Sequence, residues 1–522
     1  MPSVISEHDC KVKNNWQLKP GDKFIRPQRL KIRPLRRVLR TTHLFSIAYG
    51  NVGSSIYYAL GVVVLAASGA TPLVLGLAGI VFVFTALSYA EGIAMYPESG
   101  GSASFARRGF NDFTGFLAGW GLMFGYIVTI SISAFAIPSY LGFFWAPLKT
   151  SPAVMTGFAM MVVVFLMTIN VIGVKESSIL NITLAIMDLA VQAVLITLAL
   201  MFFFNPQLIM ERIVNYWPSP QDFLFGIAIA AIAFTGIETI SQMSEETKRP
   251  EVRGPRALLI TTIVVLVVYA GISVSAFSTM PPTELATNWA TDPIAGIANK
   301  LSQGMDAPML AAQLFSEEAY RMLFTWSIGG LQAILPVLVA VLAATILLIA
   351  TNAGLLGISR LAFSLSRFKL IPAVMGKVHP RFKTPYISII IFSVLAILLQ
   401  APGFFVPDMY SNLGGLYAFG SMMSFAIAHA SILALRIREP YKERPFRLGL
   451  NIPIMNRDLP LTAILGLLGT VAIWIVVVVM QPYSRWVGFS WIAIGLVIYW
   501  YTVKRRKSDA NGTDGRIQTV VS

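Results

Sequence analysis

"SIAYGNVGSSIYYALG", residues Ser46 to Gly61, lies inside an otherwise apolar run. A helix facing hydrocarbon has no use for Gly50, Asn51, Gly53, Ser54 and Ser55 at its middle. Glycine weakens a helix by about 1 kcal/mol, and asparagine and serine carry polar groups that hydrocarbon cannot satisfy. Such a stretch makes sense where it faces other helices or lines a polar cavity.

The rest of the chain supplies that setting. Of 522 residues, 56% are hydrophobic and only 12% charged, against about 25% charged in a soluble domain. Apolar stretches of about 20 residues read as membrane-spanning helices. Twelve occur, at 44–66, 72–95, 113–144, 153–174, 178–204, 222–243, 257–278, 331–363, 385–401, 413–436, 459–481 and 486–503. The stretches at 113–144 and 331–363 exceed one crossing, so they must tilt or project from the bilayer.

With the N-terminus inside, 35 of the 40 Lys and Arg fall on inner segments. The outer side holds five: Lys149, Arg212, Lys300, Arg321 and Arg485. This asymmetry predicts a multi-pass protein of the cytoplasmic membrane with both termini cytosolic. It also accounts for the net charge of +15, and a nucleic-acid partner is not expected, because the charge is spread over connecting loops. The first 43 residues are polar and basic, without the apolar core of a signal peptide. Cys10 is the one cysteine, so no intrachain disulfide, Cys-based metal site or redox cofactor is expected.

Four regions follow. Residues 1–43 form a basic cytosolic tail ending in "RPLRRVLRTTH", a topogenic segment that anionic membrane lipid can attract. Residues 44–436 form a ten-helix core, 437–503 two peripheral spans, and 504–522 a polar, disordered tail. The longest outer connection, Met280 to Gly330, contains "DPIAGIANKL" and "SEEAYRMLF", read as short surface helices over the outer mouth.

Span 6 contains "AIAFTGIET", which matches "SIAYGNVGS" of span 1: Ile-Ala-aromatic ahead of a glycine-bearing polar stretch. The two lie five spans apart, so they cross the membrane in opposite directions. Matching interruptions in two halves, here about 44–204 and 222–436, point to an inverted-repeat transporter. A break near Gly50–Ser55 would free N–H groups at a half-helix start, a site for a carboxylate assisted by Ser54 and Ser55. A break near Phe234–Gly236 would free carbonyls suited to an ammonium group. The pair matches the two charged ends of an amino acid. A packing kink is the plainer reading of either glycine alone.

Four motifs carry a family resemblance: "GNVGSSI" (Gly50–Ile56), "YAEGIAMYPESGGSASFARRGF" (Tyr89–Phe110), "AFTGIETISQMSEETKRPE" (Ala233–Glu251) and "GISRLAFSLSRFKLIP" (Gly357–Pro372). In order and content they resemble the amino acid–polyamine–organocation superfamily of secondary transporters. The resemblance runs from about 41 to 390, and spans 11 and 12 match only in hydropathy. It implies an all-α membrane protein of 12 spans with a five-plus-five inverted-repeat (LeuT-like) core and broken spans 1 and 6. It also implies that Gly53, Ser54 and Ser55 bind substrate carboxylate and that the backbone from Ile232 through Ala233 and Phe234 to Thr235 binds the amine; Gly50, Asn51, Gly236 and Tyr126 are read as substrate-site candidates beside them. Two positions depart from the pattern. Many relatives have a bulky aromatic gate where this chain has Ile232, which implies either a roomier pocket or a gate taken over by Phe234 or Tyr126. Some proton-coupled relatives carry a span 5 lysine where this chain has Asp188.

Intramembrane carboxylates are functional suspects. Asp188 shares a helical face with Asn181 and Gln192. Low dielectric favours the neutral acid, which suits a group that exchanges protons. Asp188 is read as a proton or cation coupling group facing Tyr49, Val52, Thr351 and Asn352, with a structural carboxylate as the alternative. Glu238, two residues beyond Gly236, either relays protons or ties down the second half-helix. Glu91 reads as structural. Glu245 and Glu246, next to Lys248 and Arg249, read as an inner gate or a solvated helix end. Tyr126, Thr129 and Ser133 share a face of span 3, and His429 is a lone histidine in span 10.

No P-loop, H-E-x-x-H or G-x-S-x-G motif is present, so enzyme activity is not expected. A channel would need a filter or charged ring that the sequence does not display. The reading is a secondary transporter, a proton-coupled symporter of a neutral amino acid, with sodium as the other coupling ion. An amino acid or polyamine exchanger is the alternative. A nutrient sensor or a channel on this scaffold is the remote one.

Overall fold

The computed structural model describes residues 37–173, 178–304, 317–406, 409–454 and 457–518. The basic tail up to residue 36, including Cys10, lies outside them. The described chain is helical apart from one two-stranded hairpin. The first apolar stretch forms α1 (Thr41–Val52), a 3-10 turn (Gly53–Ser55) and α2 (Ile56–Ala67). A second 3-10 turn, Ser68–Ala70, separates α2 from α3 (Thr71–Met95). Next come α4 (Ser102–Gly109), α5 (Asp112–Leu141), α6 (Pro147–Thr150), α7 (Pro152–Ile172), α8 (Ser178–Phe203) and α9 (Pro206–Asn215). The sixth apolar stretch is split into α10 (Pro220–Ala230), a 3-10 turn (Ala231–Phe234) and α11 (Thr239–Gln242).

The second half holds α12 (Pro250–Thr279), α13 (Pro282–Asn288), α14 (Pro293–Gly304), α15 (Glu317–Arg367), α16 (Tyr386–Gln400) and α17 (Met409–Arg438). The hairpin β1 (Asn451–Ile454) and β2 (Arg457–Pro460) leads into α18 (Leu461–Met480) and α19 (Pro482–Gln518). Among the described residues, eleven segments are long and apolar enough to cross a membrane. The first runs 55 residues, Thr41–Met95. That is too long for one crossing, and it bends at Ser68, where φ is 45°. Two expectations are corrected. "SEEAYRMLF" from Glu317 onward is the start of the long helix α15 and not a separate surface helix. The last helix continues through the polar residues to Gln518, where disorder from 504 was expected.

Burial sorts the helices. The apolar window of α5 is wholly buried, whereas that of the last helix is 11% buried and that of α18 28%. Thus α5 is the central post and the last two helices are largely exposed. Large apolar side chains such as Met161, Ile263, Val267, Leu468 and Val479 face outward, as hydrocarbon-facing residues do. The post is gripped closely. A Cβ on Gly420 of α17 would lie 2.8 Å from the Gly121 carbonyl of α5, so these backbones meet only without side chains. On another face Trp120 and Trp491 stack at 4.4 Å and exchange indole N–H bonds to each other's carbonyls at 2.8 and 3.0 Å. These contacts seat the last helix against α5.

Candidate functional site

The two interruptions touch. Asn51 Nδ2 donates to the Gly236 carbonyl at 3.3 Å and to Thr239 Oγ1 at 2.8 Å. Tyr269 of α12 donates its hydroxyl to the Val52 and Ala233 carbonyls, the latter at 2.9 Å. A hydroxyl has one proton and serves one of these carbonyls at a time. The pair therefore presents more acceptor capacity than the protein fills, a disposition suited to a cationic head group.

The interruptions differ in kind. After Phe234 the chain leaves the helix: Thr235 is extended (φ −86°, ψ 154°) and Gly236 has φ 111°. Glu238 Oε2 accepts the Gly236 N–H at 2.9 Å and so ties down the opened backbone just ahead of the restarted helix. The interruption at Gly53–Ser55 is only a tightening into 3-10 form. The Gly53 N–H still reaches the Tyr49 carbonyl, and Ser54 and Ser55 donate to the Asn51 carbonyl at 3.0 and 3.4 Å. The expected free N–H groups are therefore occupied here, because a 3-10 turn keeps its bonds at i to i+3. The strict reading of span 1 as broken is corrected to that extent.

Asp188 of α8 is fully buried. It accepts from Tyr57 at 2.6 Å, Tyr49 at 2.8 Å and Gln192 at 2.7 Å. Among the described residues it forms no ion pair with a Lys or Arg. The polar stripe thus places Gln192 against Asp188, while Asn181 lines an inner cavity. Of the expected partners, only Tyr49 reaches Asp188, through its side chain. The Val52 carbonyl bonds Tyr269, Thr351 bonds Leu347 of its own helix at 2.8 Å, and Asn352 bonds Asn170 at 2.5 Å. Tyr57 and Tyr269 escaped the sequence reading. The available signal was a polar hydroxyl within each apolar run.

The remaining candidates divide. Phe234 packs between Phe82 (5.1 Å) and Tyr269 (5.2 Å). Ile232 is buried with its Cδ1 close over Gly414. Tyr126, against Gly357, is buried with its hydroxyl unpartnered, as is the Ser133 hydroxyl. Thr129 bonds its own helix at Gly125. Gly50 packs on Ile349. His429 lies between Ser88 (2.9 Å) and Thr85 (3.2 Å) of α3, which joins two helices. Glu245 pairs with Arg367 at 3.0 Å and Glu246 with Arg360 at 2.9 Å. Beside them a cavity of about 460 Å³ is lined by Ile47, Asn170, Asn181, Met243, Glu246 and Arg360, among others. At the other end Lys149 bonds Asp292 at 2.8 Å and lies 4.4 Å from the Trp289 ring, which holds α14 down. Burial raises the Asp292 carboxyl above the usual range, and Lys149 partly offsets it.

Crossing helices, a central post and two interruptions in contact define a multi-pass membrane protein with a buried polar centre. Residues 39–503 match the family model described as amino acid permease, and the chain belongs to that family. It is 26% identical over 494 residues to the methylthioribose transporter of Bacillus subtilis, covering 90% of this chain and 94% of that one. It is 25% identical to the branched-chain amino acid permease BcaP of the same organism (91% and 95% covered). It is 24% identical to the low-affinity putrescine importer PlaP of Escherichia coli (85% and 88% covered).

Proposed function

We propose that the chain is a secondary transporter that moves an amino acid across the cytoplasmic membrane by alternating access, coupled to protons through Asp188. The carrying observation is the meeting of the two interruptions, with Asp188 bonded to Tyr49 and Tyr57 on either side of the first of them. The Val52 and Ala233 carbonyls, shared by one Tyr269 proton, receive the substrate amine. The Ser54 and Ser55 hydroxyls turn from the Asn51 carbonyl to its carboxylate. Tyr126 and Phe234 bound the pocket, and Asn51 couples the two segments. Counting Thr41–Met95 as two crossings gives twelve spans, ten of them in a five-plus-five inverted-repeat core with both termini cytosolic. No charged side chain lies among the proposed substrate contacts, which favours a neutral amino acid.

Asp188 supports coupling because its three partners are neutral donors. A carboxylate without a cationic partner is costly to keep ionised in a buried site, so a proton or Na+ is its natural counter-charge. The test is uptake of a labelled amino acid panel into proteoliposomes, with and without an inward proton gradient, for wild type and Asp188→Asn. The reading requires gradient-stimulated uptake that the variant loses while it still exchanges substrate. Uptake that ignores the gradient and needs internal amino acid would instead assign an exchanger. An immobile panel would overturn the amino acid reading.

A further inference from the structure

The connection from α17 to α18 carries a second polar construction, remote in sequence from the two interruptions. The hairpin and the residues before it enclose a cavity of about 470 Å³. Arg436, Lys442, Arg444, Arg447 and Arg457 line it, with Asp458 the one lining carboxylate. Beneath it Glu91, at the end of α3, is fully buried. Glu91 takes both Nε and Nη2 of Arg436 at 2.7 Å, Arg444 Nε at 3.2 Å and the Leu448 N–H at 2.9 Å.

That cluster explains Arg436 and Arg444, which tie the connection to α3. It does not explain the others. Lys442 pairs with Glu439 at 3.0 Å and Arg447 with Asp458 at 2.6 Å, both in exposed or half-exposed pairs of small energetic worth. Arg457 is half-buried, and its side chain makes no hydrogen bond or ion pair among the described residues. Five cations meet three carboxylates, Glu91, Glu439 and Asp458, which leaves a surplus of two positive charges around the cavity. Like charges converging on one space repel unless an anion sits among them.

We propose that this pocket binds a phosphate-bearing anion. The planar guanidinium fork matches phosphate oxygens pairwise, and the volume lies within the roughly 300–1,000 Å³ of small-ligand sites. The pocket joins the last turn of α17, which ends at Arg438, to the start of α18 at Leu461. Both helices are long and apolar enough to cross a membrane, so the pocket lies near the level of lipid head groups on the Lys- and Arg-rich side. The phosphate comes from an anionic lipid head group or from a soluble phosphate compound. The lipid source rests on the membrane reading; neither source depends on the transport proposal.

The test uses the full chain purified in detergent. Phosphatidylglycerol, phosphatidylcholine or inorganic pyrophosphate is added, and retained ligand is counted by native mass spectrometry. The double variant Lys442→Gln/Arg457→Gln leaves the Glu91 cluster intact, and its thermal unfolding without ligand reports that it is folded. Retention of phosphatidylglycerol over phosphatidylcholine, weakened about tenfold in the double variant and by added salt, assigns a lipid head group. Pyrophosphate retention with the same dependence assigns a soluble source. Asp458→Asn, which removes a competing carboxylate, tightens either by a few-fold. Retention of neither anion by wild type, or equal retention by the double variant, overturns the proposal.

Discussion

The two interruptions look alike on paper and are built differently. "AIAFTGIET" opens into extended backbone at Thr235 and a φ of 111° at Gly236, whereas "SIAYGNVGS" merely narrows to a 3-10 turn. The difference follows from what each stretch leans on. The second break is fixed from its own segment by Glu238 and from the first segment by Asn51. In the first, Ser54 and Ser55 fold their hydroxyls back onto the Asn51 carbonyl, which keeps the helix closed. One region is rigidly open, and the other is closed by hydroxyls that a ligand can recruit.

The largest effect is expected at Gly236. A φ of 111° is a conformation that costs an L-residue about 1–3 kcal/mol. A Cβ there would also lie 2.8 Å from Asn51 Cγ and 3.3 Å from its backbone carbonyl carbon. Gly236→Ala should abolish uptake and lower the unfolding temperature in detergent. Normal uptake would mean that the open break is not required. Next is Tyr57→Phe, which leaves Asp188 Oδ1 without its shortest donor. A hydrogen bond to a charged group contributes about 1.5–3 kcal/mol. The variant should be destabilised by that order and should alter the gradient response before it alters exchange. A change confined to substrate affinity would detach Tyr57 from coupling.

Gly53→Ala probes the closed side and should be milder. The new methyl would lie 2.7 Å from the Tyr49 ring, a side chain that can move. Moving it lengthens the 2.8 Å bond to Asp188. A cost of about 1–2 kcal/mol is expected, within the range for overpacking. The informative readout is a double-mutant cycle of Gly53→Ala with Asp188→Asn. Coupling supports transmission through Tyr49, and strict additivity separates the two sites.

The sequence showed where the polar groups are better than how they are joined. Most apolar runs end within a few residues of a long helix, because the length of a hydrocarbon span imposes itself on composition. Asp188 and Gln192 were read on one helical face and they do touch, because four residues on a helix is a geometric statement. Asp188 with Tyr57, and Tyr269 between Val52 and Ala233, are contacts of 131, 217 and 36 residues' separation. No local periodicity encodes these. The 3-10 closure at Gly53 was hidden for a related reason: serine donates to its own helix or to a ligand with equal ease, and the sequence does not say which. The start of α15 was misjudged because "SEEAYRMLF" is too polar to look continuous with the apolar run it extends.

The smallest effect distinguishes a Glu238 that only anchors the Gly236 N–H from one that also carries protons. Its Oε2 accepts the Gly236 N–H at 2.9 Å, and a glutamine carbonyl can accept the same bond. If Glu238 only holds the break open, Glu238→Gln should change stability by less than about 0.5 kcal/mol and leave gradient-driven uptake intact. Glu238→Ala, which strands a buried N–H, should cost about 1–3 kcal/mol. If Glu238 also carries protons, the glutamine variant should keep its stability but lose gradient stimulation, as Asp188→Asn does. Measured side by side, the two glutamine and asparagine variants decide whether coupling belongs to the closed interruption alone or is shared with the open one.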